Sequence, residues 1–344
     1  MSTGTHDPAP TGAATQNAAR PTGRTGPLQL IADIGGTHAR FALCTGVNDI
    51  HAVQVMESRA HPTLEAAIRQ YLSDAGNPSV QRAAIGIANP VLDDHVKMTN
   101  GPWAFSIEQM RMALGLAQLH VLNDFAALAM ALPYLPADEL EQVGGGPGAR
   151  GAPLGLLGPG TGLGVSALIP MPRGNWLPLA TEGGHARFAP ADDTEEMIWR
   201  HAVERFGGHV SQERLISGSG LRFIYECLCE DHGAVRQPYT PSQISEHAIA
   251  GGAPICRQAL DTFCAMLGSA ASDLAVTLGA RGGVYIGGGI IKKLGSYFAA
   301  SPFRARFEDK GRFRHYVAAI PVYVIRSQQP ALTGAAAWLG QHSS

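Results

Sequence analysis

Lysine is scarce: the chain has four, and none is followed by serine or threonine. A Walker A loop needs Gly-Lys-Ser/Thr, so that way of cradling phosphate is excluded. No long basic run exists and the formal net charge is −2. Neither nucleic acid nor an anionic membrane is an expected partner. No unbroken run of 18 apolar residues occurs, so no membrane span is expected. Cysteine is limited to Cys44, Cys227, Cys229, Cys256 and Cys264. The count is odd, and the spacing fits neither a zinc site nor a CxxC redox pair. Free structural thiols in a reducing compartment are expected, with Cys256 and Cys264 on one buried helix face. Residues 2–27 contain no Leu, Ile, Val, Phe, Tyr or Trp. That segment has no apolar core of a secretory signal and no amphipathic face for a transit peptide. It also cannot offset the entropy of ordering, so residues 1–27 are expected to be a disordered tail.

The remainder has an ordinary globular composition, 45% hydrophobic and 16% charged over 344 residues in all, which suits about two domains. Strand-like runs fall at 28–33, 38–44, 51–56 and 82–88. A helix is expected over 63–72, where Leu64, Ala67, Ile68 and Tyr71 recur at helical spacing. Another is expected over 105–114, with Ser106 and Gln109 placed for a capping box. A strand at 118–122 precedes an apolar helix at 125–135, closed by Pro133 and Pro136. The stretch "GGGPGARGAP" (144–153) reads as a linker. A second block of strands follows at 154–158, 163–169 and 176–181. Helices are expected near 192–206, 218–231, 241–250 and 254–278, then strand, glycine turn and helix over 282–294. The chain closes with a strand at 321–325 and a helix at 331–340. Both halves thus open with a strand–glycine turn–strand hairpin. That predicts two related α/β domains, joined near residue 135, with a ligand cleft between them.

Three glycine clusters each follow a strand: Gly35–Gly36–Thr37, Gly158 to Gly164, and Gly287–Gly288–Gly289. Backbone N–H groups in such turns can converge on an anion, because no Cβ blocks the approach. Hairpin turns also use glycine without any ligand. A dinucleotide fingerprint matches by letter at Gly146, Gly148 and Gly151, but a polar segment precedes it and a strand follows, so it is set aside. Asp33, at the mouth of the first turn, has two readings. It can bond its own turn, or it can hold Mg²⁺, which takes one or two carboxylates plus waters and phosphate oxygens.

Asn123 and Asp124 lie between a strand and an apolar helix. One reading is an N-cap; the other is a base that takes a proton from a substrate hydroxyl. Glu182 and His185, separated by glycines after a strand, read as a binding loop. Glu213 reads better as an exposed helix acid. Together these side chains have the acceptors and donors to hold sugar hydroxyls.

The segments "ADIGGTHARFAL", "GIANPV", "WAFS", "VLNDFAALA", "LGPGTGLGV", "EGGHARFAP", "ERLISGSGL" and "YIGGGI" occur in that order. Together they resemble bacterial glucokinases of the hexokinase-like type, from about Leu30 to Leu339. The resemblance implies an α/β fold of two actin-like ATPase (ribonuclease H-like) domains flanking a cleft. The small domain would comprise 28–134 plus 326–344 and the large one 135–325. It implies ATP-dependent phosphorylation of D-glucose at the 6-hydroxyl, with Asp124 as the base. Asn123, Gly162, Glu182, His185 and Glu213 would contact the sugar. Ala32, Asp33, Ile34, Gly35, Gly36 and Thr37 would form the first phosphate loop, and Gly160, Thr161 and Gly162 the second. Gly287, Gly288 and Gly289 would lie near adenosine, and Asp33 would hold Mg²⁺ through water. A cytoplasmic homodimer is also implied. Three rival readings remain: a kinase of mannose, fructose or glucosamine on the same fold, a non-catalytic sugar sensor, and an actin-like or chaperone ATPase, which would lack the Glu182/His185 pair. The sensor would want a basic helix-turn-helix, which the tail cannot fold. The cysteine-rich zinc motif of the repressor/ORF/kinase family is missing, so no structural zinc is expected. Ala32 stands where glycine is as frequent, and the tail has no counterpart in the family core.

Overall fold

A computed structural model describes residues 26–342 of the chain. The expected disorder of residues 1–27 falls almost wholly outside the described residues. The first sheet is built from β1 (Gln29–Ile34), β2 (His38–Gly46), β3 (Asp49–Glu57), β4 (Arg82–Ile87) and β7 (Gln118–Asn123), in the order β3-β2-β1-β4-β7. β1 is central and buries every residue except Asp33 at its carboxyl end, as a strand covered on both faces must. It pairs antiparallel with β2 and parallel with β4, and β4 pairs parallel with β7. The register sets Ile34 beside Ile87, and Ile87 beside Asn123. The chain ends of three parallel strands therefore open at one edge, where α/β folds collect ligands.

α1 (Leu64–Asp74) begins where Thr63 accepts from the Ala66 amide, and it buries Leu64, Ala67, Ile68 and Tyr71 as the spacing predicts. A small ladder of β5 (His95–Lys97) and β6 (Ala104–Ser106) precedes α2 (Ile107–Ala113). Neither strand is long enough to leave a periodic signal. Ser106 caps α2 by accepting from the Gln109 amide. The remaining cap bonds come from Asp94, which accepts from the Glu108 amide and the Ser106 hydroxyl.

β9 (Leu154–Pro159), β10 (Leu163–Pro170), β11 (Trp176–Ala180), β12 (Gly283–Ile286) and β13 (Val322–Ile325) repeat the first topology in the order β11-β10-β9-β12-β13. β8 (Leu140–Gln142) adds an antiparallel edge beyond β13. The expectation of a linker at 144–153 needs correcting. Val143 donates to the Val322 carbonyl, Gly146 to Ala319 and Ala149 to Arg281. Its glycines let the backbone press against Ile320 and Gly282, just ahead of β13 and β12.

α4 (Asp193–Phe206), α5 (Gln212–Leu215), α6 (Gly218–Asp231), α7 (Pro241–Ala250) and α8 (Pro254–Leu278) cover the second sheet, joined by α9 (Gly289–Leu294), α10 (Ser296–Ala300), α11 (Phe303–Glu308) and α12 (Arg314–Ala318). By length and composition α8 could cross a membrane, although no unbroken apolar run announces it. It is the core helix: Leu260, Phe263, Met266 and Leu267 are fully buried. Cys256 and Cys264 lie on its buried face, and all five cysteines are buried and unpaired.

α3 (Asp124–Ala131) lies between the sheets with α13 (Pro330–Gln341) beside it. Ala127 packs with Leu332 and Ala335 against Ile31, Ala42 and Ala84 of the first sheet. Ala129 and Met130 pack with Leu156, Leu168 and Ile325 of the second. The run of alanines in α3 and α13 permits this approach, and Gly334 rests directly on the Ala127 backbone. One short helix thus registers both halves, and its first residue is Asp124.

Candidate functional site

Asn123 is the N-cap of α3: its Oδ1 accepts from the Phe125 and Ala126 amides at 2.9 and 3.2 Å. The other end of the same amide donates to Asp124 Oδ1 at 3.1 Å and to the Asn89 carbonyl at 3.4 Å. The two readings of this pair are therefore compatible. The cap fixes the helix start, and its spare N–H groups orient the next carboxylate. Burial pushes the Asp124 carboxyl up to about 6; the Phe125 amide opposes that, while the charges of Asp33 and Glu182 add to it. Two sequence-predicted acids from different halves of the chain are thus electrostatic neighbours of Asp124.

Asp33 ends β1 with Arg40 at 3.4 Å. Burial raises its carboxyl and Arg40 lowers it. Beyond it, Gly35 donates to the His38 carbonyl to close the first turn, and Ser58 bonds the carbonyls of Gly35 and Thr37. Ala32 and Ile34 are buried in the strand, whereas Thr37 is exposed at the turn. A Cβ on Gly36 would overlap the Asn100 carbonyl. The loop 98–103 therefore abuts this turn. The same loop reaches Asn89, whose Oδ1 accepts from the Thr99 amide and hydroxyl, both at 3.0 Å.

The second turn is closed by Gly160 donating to the Gly162 carbonyl, and Gly218 at the start of α6 donates to Gly160. Thr161 is exposed at its tip. The third turn lies against it. Gly287 donates to the Leu157 carbonyl, and Gly288 has φ +87°, with the Pro159 carbonyl where a Cβ would stand. Gly289 opens α9. The first hairpin meets the second through α3: the Phe125 ring fills the space over Gly164 and Gly158.

Glu182 stands at the N-cap and His185 at the end of a one-turn helix whose Gly184 packs on the Leu163 backbone, beside the second turn. Both side chains are exposed. Phe188 donates to Val210 and Gln212 to Ala186, stitching this loop to α5. That brings in Glu213, whose Oε2 accepts from the Leu163 amide at 3.0 Å. The reading of Glu213 as an exposed helix acid is therefore corrected: it is half-buried, and its carboxylate braces the second glycine turn beside Gly162.

Several neighbours escaped the sequence reading. Asn89 and Thr99 lie inside the quoted "GIANPV" segment and the stretch before "WAFS", yet no spacing marks them as bonded. Lys292 of α9 donates to the Ser327 carbonyl; burial lowers its ammonium, as do the charges of Arg326 and Arg40. Arg40 of β2 and Lys292 of α9 are thus within electrostatic range of each other. A cavity of about 260 Å³ opens beside Gly160 and Gly289, walled by Leu221, Pro241, Ile249 and Ile290, with Ser242, Ser245, Glu246 and Lys293 on its polar side. Among the described residues no cluster of three His, Cys, Asp or Glu side chains could cage a metal.

The arrangement offers a raised carboxylate, polar side chains near Leu163, and glycine turns against an apolar slot. Comparison with known proteins identifies the family. The glucokinase family profile matches residues 30–342. Chromobacterium violaceum glucokinase is 56% identical over 314 residues, covering 91% of this chain and 90% of that one. Neisseria gonorrhoeae glucokinase is 53% identical, covering 91% and 95%. The crystal structure of a glucokinase from an Antarctic psychrotroph, 35% identical, superposes with a TM-score of 0.85 over 92% of this chain and 99% of that one. A more distant glucokinase of the ROK family from Streptomyces griseus, solved with glucose and AMPPNP, shares the fold at 21% identity and a TM-score of 0.60. The two repeated sheets belong to that two-domain actin-like ATPase architecture, and the chain is a member of the glucokinase family.

Proposed function

We propose that this enzyme transfers the terminal phosphoryl group of ATP to the 6-hydroxyl of D-glucose, with Asp124 as general base. One observation carries the assignment: a half-buried carboxylate, pushed up to about 6, has Asp33 and Glu182 as charged neighbours at the open ends of three parallel strands. A base with that affinity is ionised at neutral pH and still holds a proton well, the balance that general-base catalysis favours. Asn123 fixes its rotamer. Glu182, His185 and Glu213, gathered around Leu163, supply acceptors and donors for the remaining sugar hydroxyls.

The N–H groups of the first and second glycine turns receive the phosphates, and the slot by Gly160 and Gly289 takes the base. Its apolar walls suit a flat heterocycle, and Ser242, Ser245 and Glu246 offer it polar partners. Asp33 is the residue that would hold Mg²⁺; one carboxylate without a protein cage suits an ion that keeps its waters. When bound, the ion would neutralise phosphate charge. Arg40 and Lys292 add positive charge from the protein itself.

Phe125 seated on Gly164 couples the chemistry to closure, because rotation of one half against the other pivots where Asp124 is anchored. Closure excludes water, which would otherwise accept the phosphoryl group. A second subunit and a cytosolic setting complete the proposal. The decisive assay is ADP release with and without glucose, followed by a hexose panel. Release that requires glucose supports the assignment. Release indifferent to every sugar overturns it, and preference for another hexose moves the substrate alone.

A further inference from the structure

A second cavity, lined by arginines, lies among α4, α5 and α6, and none of its lining residues belongs to the glycine turns. Its volume is about 290 Å³, and its walls are Arg205, Arg214 and Arg222, the rings of Phe206 and Phe223, and Ser219 beside Glu226. The guanidinium of Arg205 lies 5.3 Å from the Phe223 ring centre, and that of Arg214 lies 4.7 Å from Phe206. Arg205 and Arg222 share a single acid, Glu226, at 3.1 and 2.9 Å, and Arg236 approaches it at 3.9 Å. Arg214 has no carboxylate partner among the described residues.

Three guanidinium groups thus face one hollow with one carboxylate between them. Like charges do not gather in a concave surface without cost. The aromatic rings hold two of them by their flat faces. A stacked guanidinium keeps its N–H edge free, and that edge matches two oxygens of a phosphate at once. Glu226 consumes part of the charge of Arg205 and Arg222, and none is consumed at Arg214. The Ser219 hydroxyl adds another donor at the same wall. The volume is at the lower end for small-molecule sites, so it suits a small metabolite rather than a polymer.

We propose that this cavity binds a small phosphate dianion, free phosphate or a phosphate monoester, and that occupancy reaches the sugar site through α5. That four-residue helix carries Glu213 on one side, bonded to the Leu163 amide, and Arg214 on the other, lining the cavity. An anion drawn to Arg214 pulls on the segment that braces the second glycine turn.

The test is calorimetric titration of inorganic phosphate, and separately of glucose 6-phosphate, into the full chain at low salt. Glucose and AMPPNP are present throughout to fill the cleft. One anion per chain is expected, with affinity falling at least tenfold in Arg214→Gln and in Arg222→Gln. Equal binding of both probes identifies free phosphate as sufficient, and binding of the ester alone identifies a phosphorylated metabolite; either outcome supports the site. No binding, or binding unchanged in both variants, overturns it. The glucose KM should shift at least twofold with the anion in the parent and stay flat in Arg222→Gln; a parent KM that does not move overturns the link through α5. Thermal melts confirm that each variant is folded. Dependence on Arg222 is readable even if the hexose assignment fails, because Arg222 is outside the cleft.

Discussion

The amide of Asn123 caps helix α3 with its oxygen and holds the carboxylate of Asp124 with its nitrogen, at 3.1 Å. Two jobs on one side chain can be separated by substitution. Asn123→Ser retains a capping oxygen but loses the amide N–H groups that reach Asp124 and the Asn89 carbonyl. It should keep the melting temperature within a degree or two while kcat falls about tenfold or more, in line with a mispositioned base. Asn123→Ala should lose both, with about 1 kcal/mol of stability going with the cap. Equal kcat in the parent and the serine variant would remove the orienting role.

Asp124 must be ionised to accept a proton. Its carboxyl is pushed up to about 6, so kcat/KM should fall about tenfold per pH unit below that value and level off above it. The negative charge of Glu182 contributes to the rise. Glu182→Gln should therefore move the acid limb of kcat to lower pH, alongside the KM increase expected from a lost sugar contact. A limb that stays in place detaches the two residues.

Much of this site was legible in the chain, and the reason is local. Glycine after a buried β-branched strand marks a turn whatever surrounds it, so Gly35, Gly160 and Gly287 could be found from their own neighbours. The topology followed because the same hairpin occurs twice. The missed residues depend on distant partners. Thr99 matters by bonding Asn89, and Asn89 by receiving Asn123; no periodicity encodes such a relay. Glu213 looked like a surface acid because its partner, the Leu163 amide, is fifty positions away. The glycine-rich stretch at 144–153 misled for the opposite reason. Its composition is that of a linker, but the pairing with Val322, Ala319 and Arg281 is set by the fold.

Gly164 has no room for a side chain because the Phe125 ring covers it. Gly164→Ala should cost about 1–3 kcal/mol, the usual penalty for overfilling a packed contact. It should also disturb closure, since Phe125 follows the base directly. Phe125→Leu in the same chain should recover part of the stability. A double-mutant cycle in urea measures this, and additive effects would mean that the two residues do not touch.

Gly288 combines a left-handed backbone, φ +87°, with the Pro159 carbonyl pressed where a Cβ would go. Alanine there must distort the second and third turns together. Gly288→Ala should raise the KM for ATP several-fold while leaving the glucose KM near the parent value, because the residues proposed to hold the sugar gather around Leu163 rather than at the third turn. A selective rise in the glucose KM would contradict the division of labour between the turns.

The proposed base should also be a stability liability. Asp124 has an ordinary value of 3.8, against about 6 in the folded chain. A folded-state value above the unfolded one means that the native chain binds more protons between those pH limits. Stability therefore declines as pH rises from about 4 to 6 and stays lower above that. The full difference corresponds to about 3 kcal/mol, and partial exposure reduces it to about 1–3 kcal/mol. Asp124→Asn keeps the acceptor for the Phe125 amide and removes the charge. The variant should be more stable than the parent by that amount at pH 7.5 and no more stable at pH 4, while kcat drops by ~10²–10⁴. Urea midpoints at the two pH values decide the matter: a gain that persists at pH 4 would trace to packing, and no gain at pH 7.5 would mean that the carboxylate is not held at a cost.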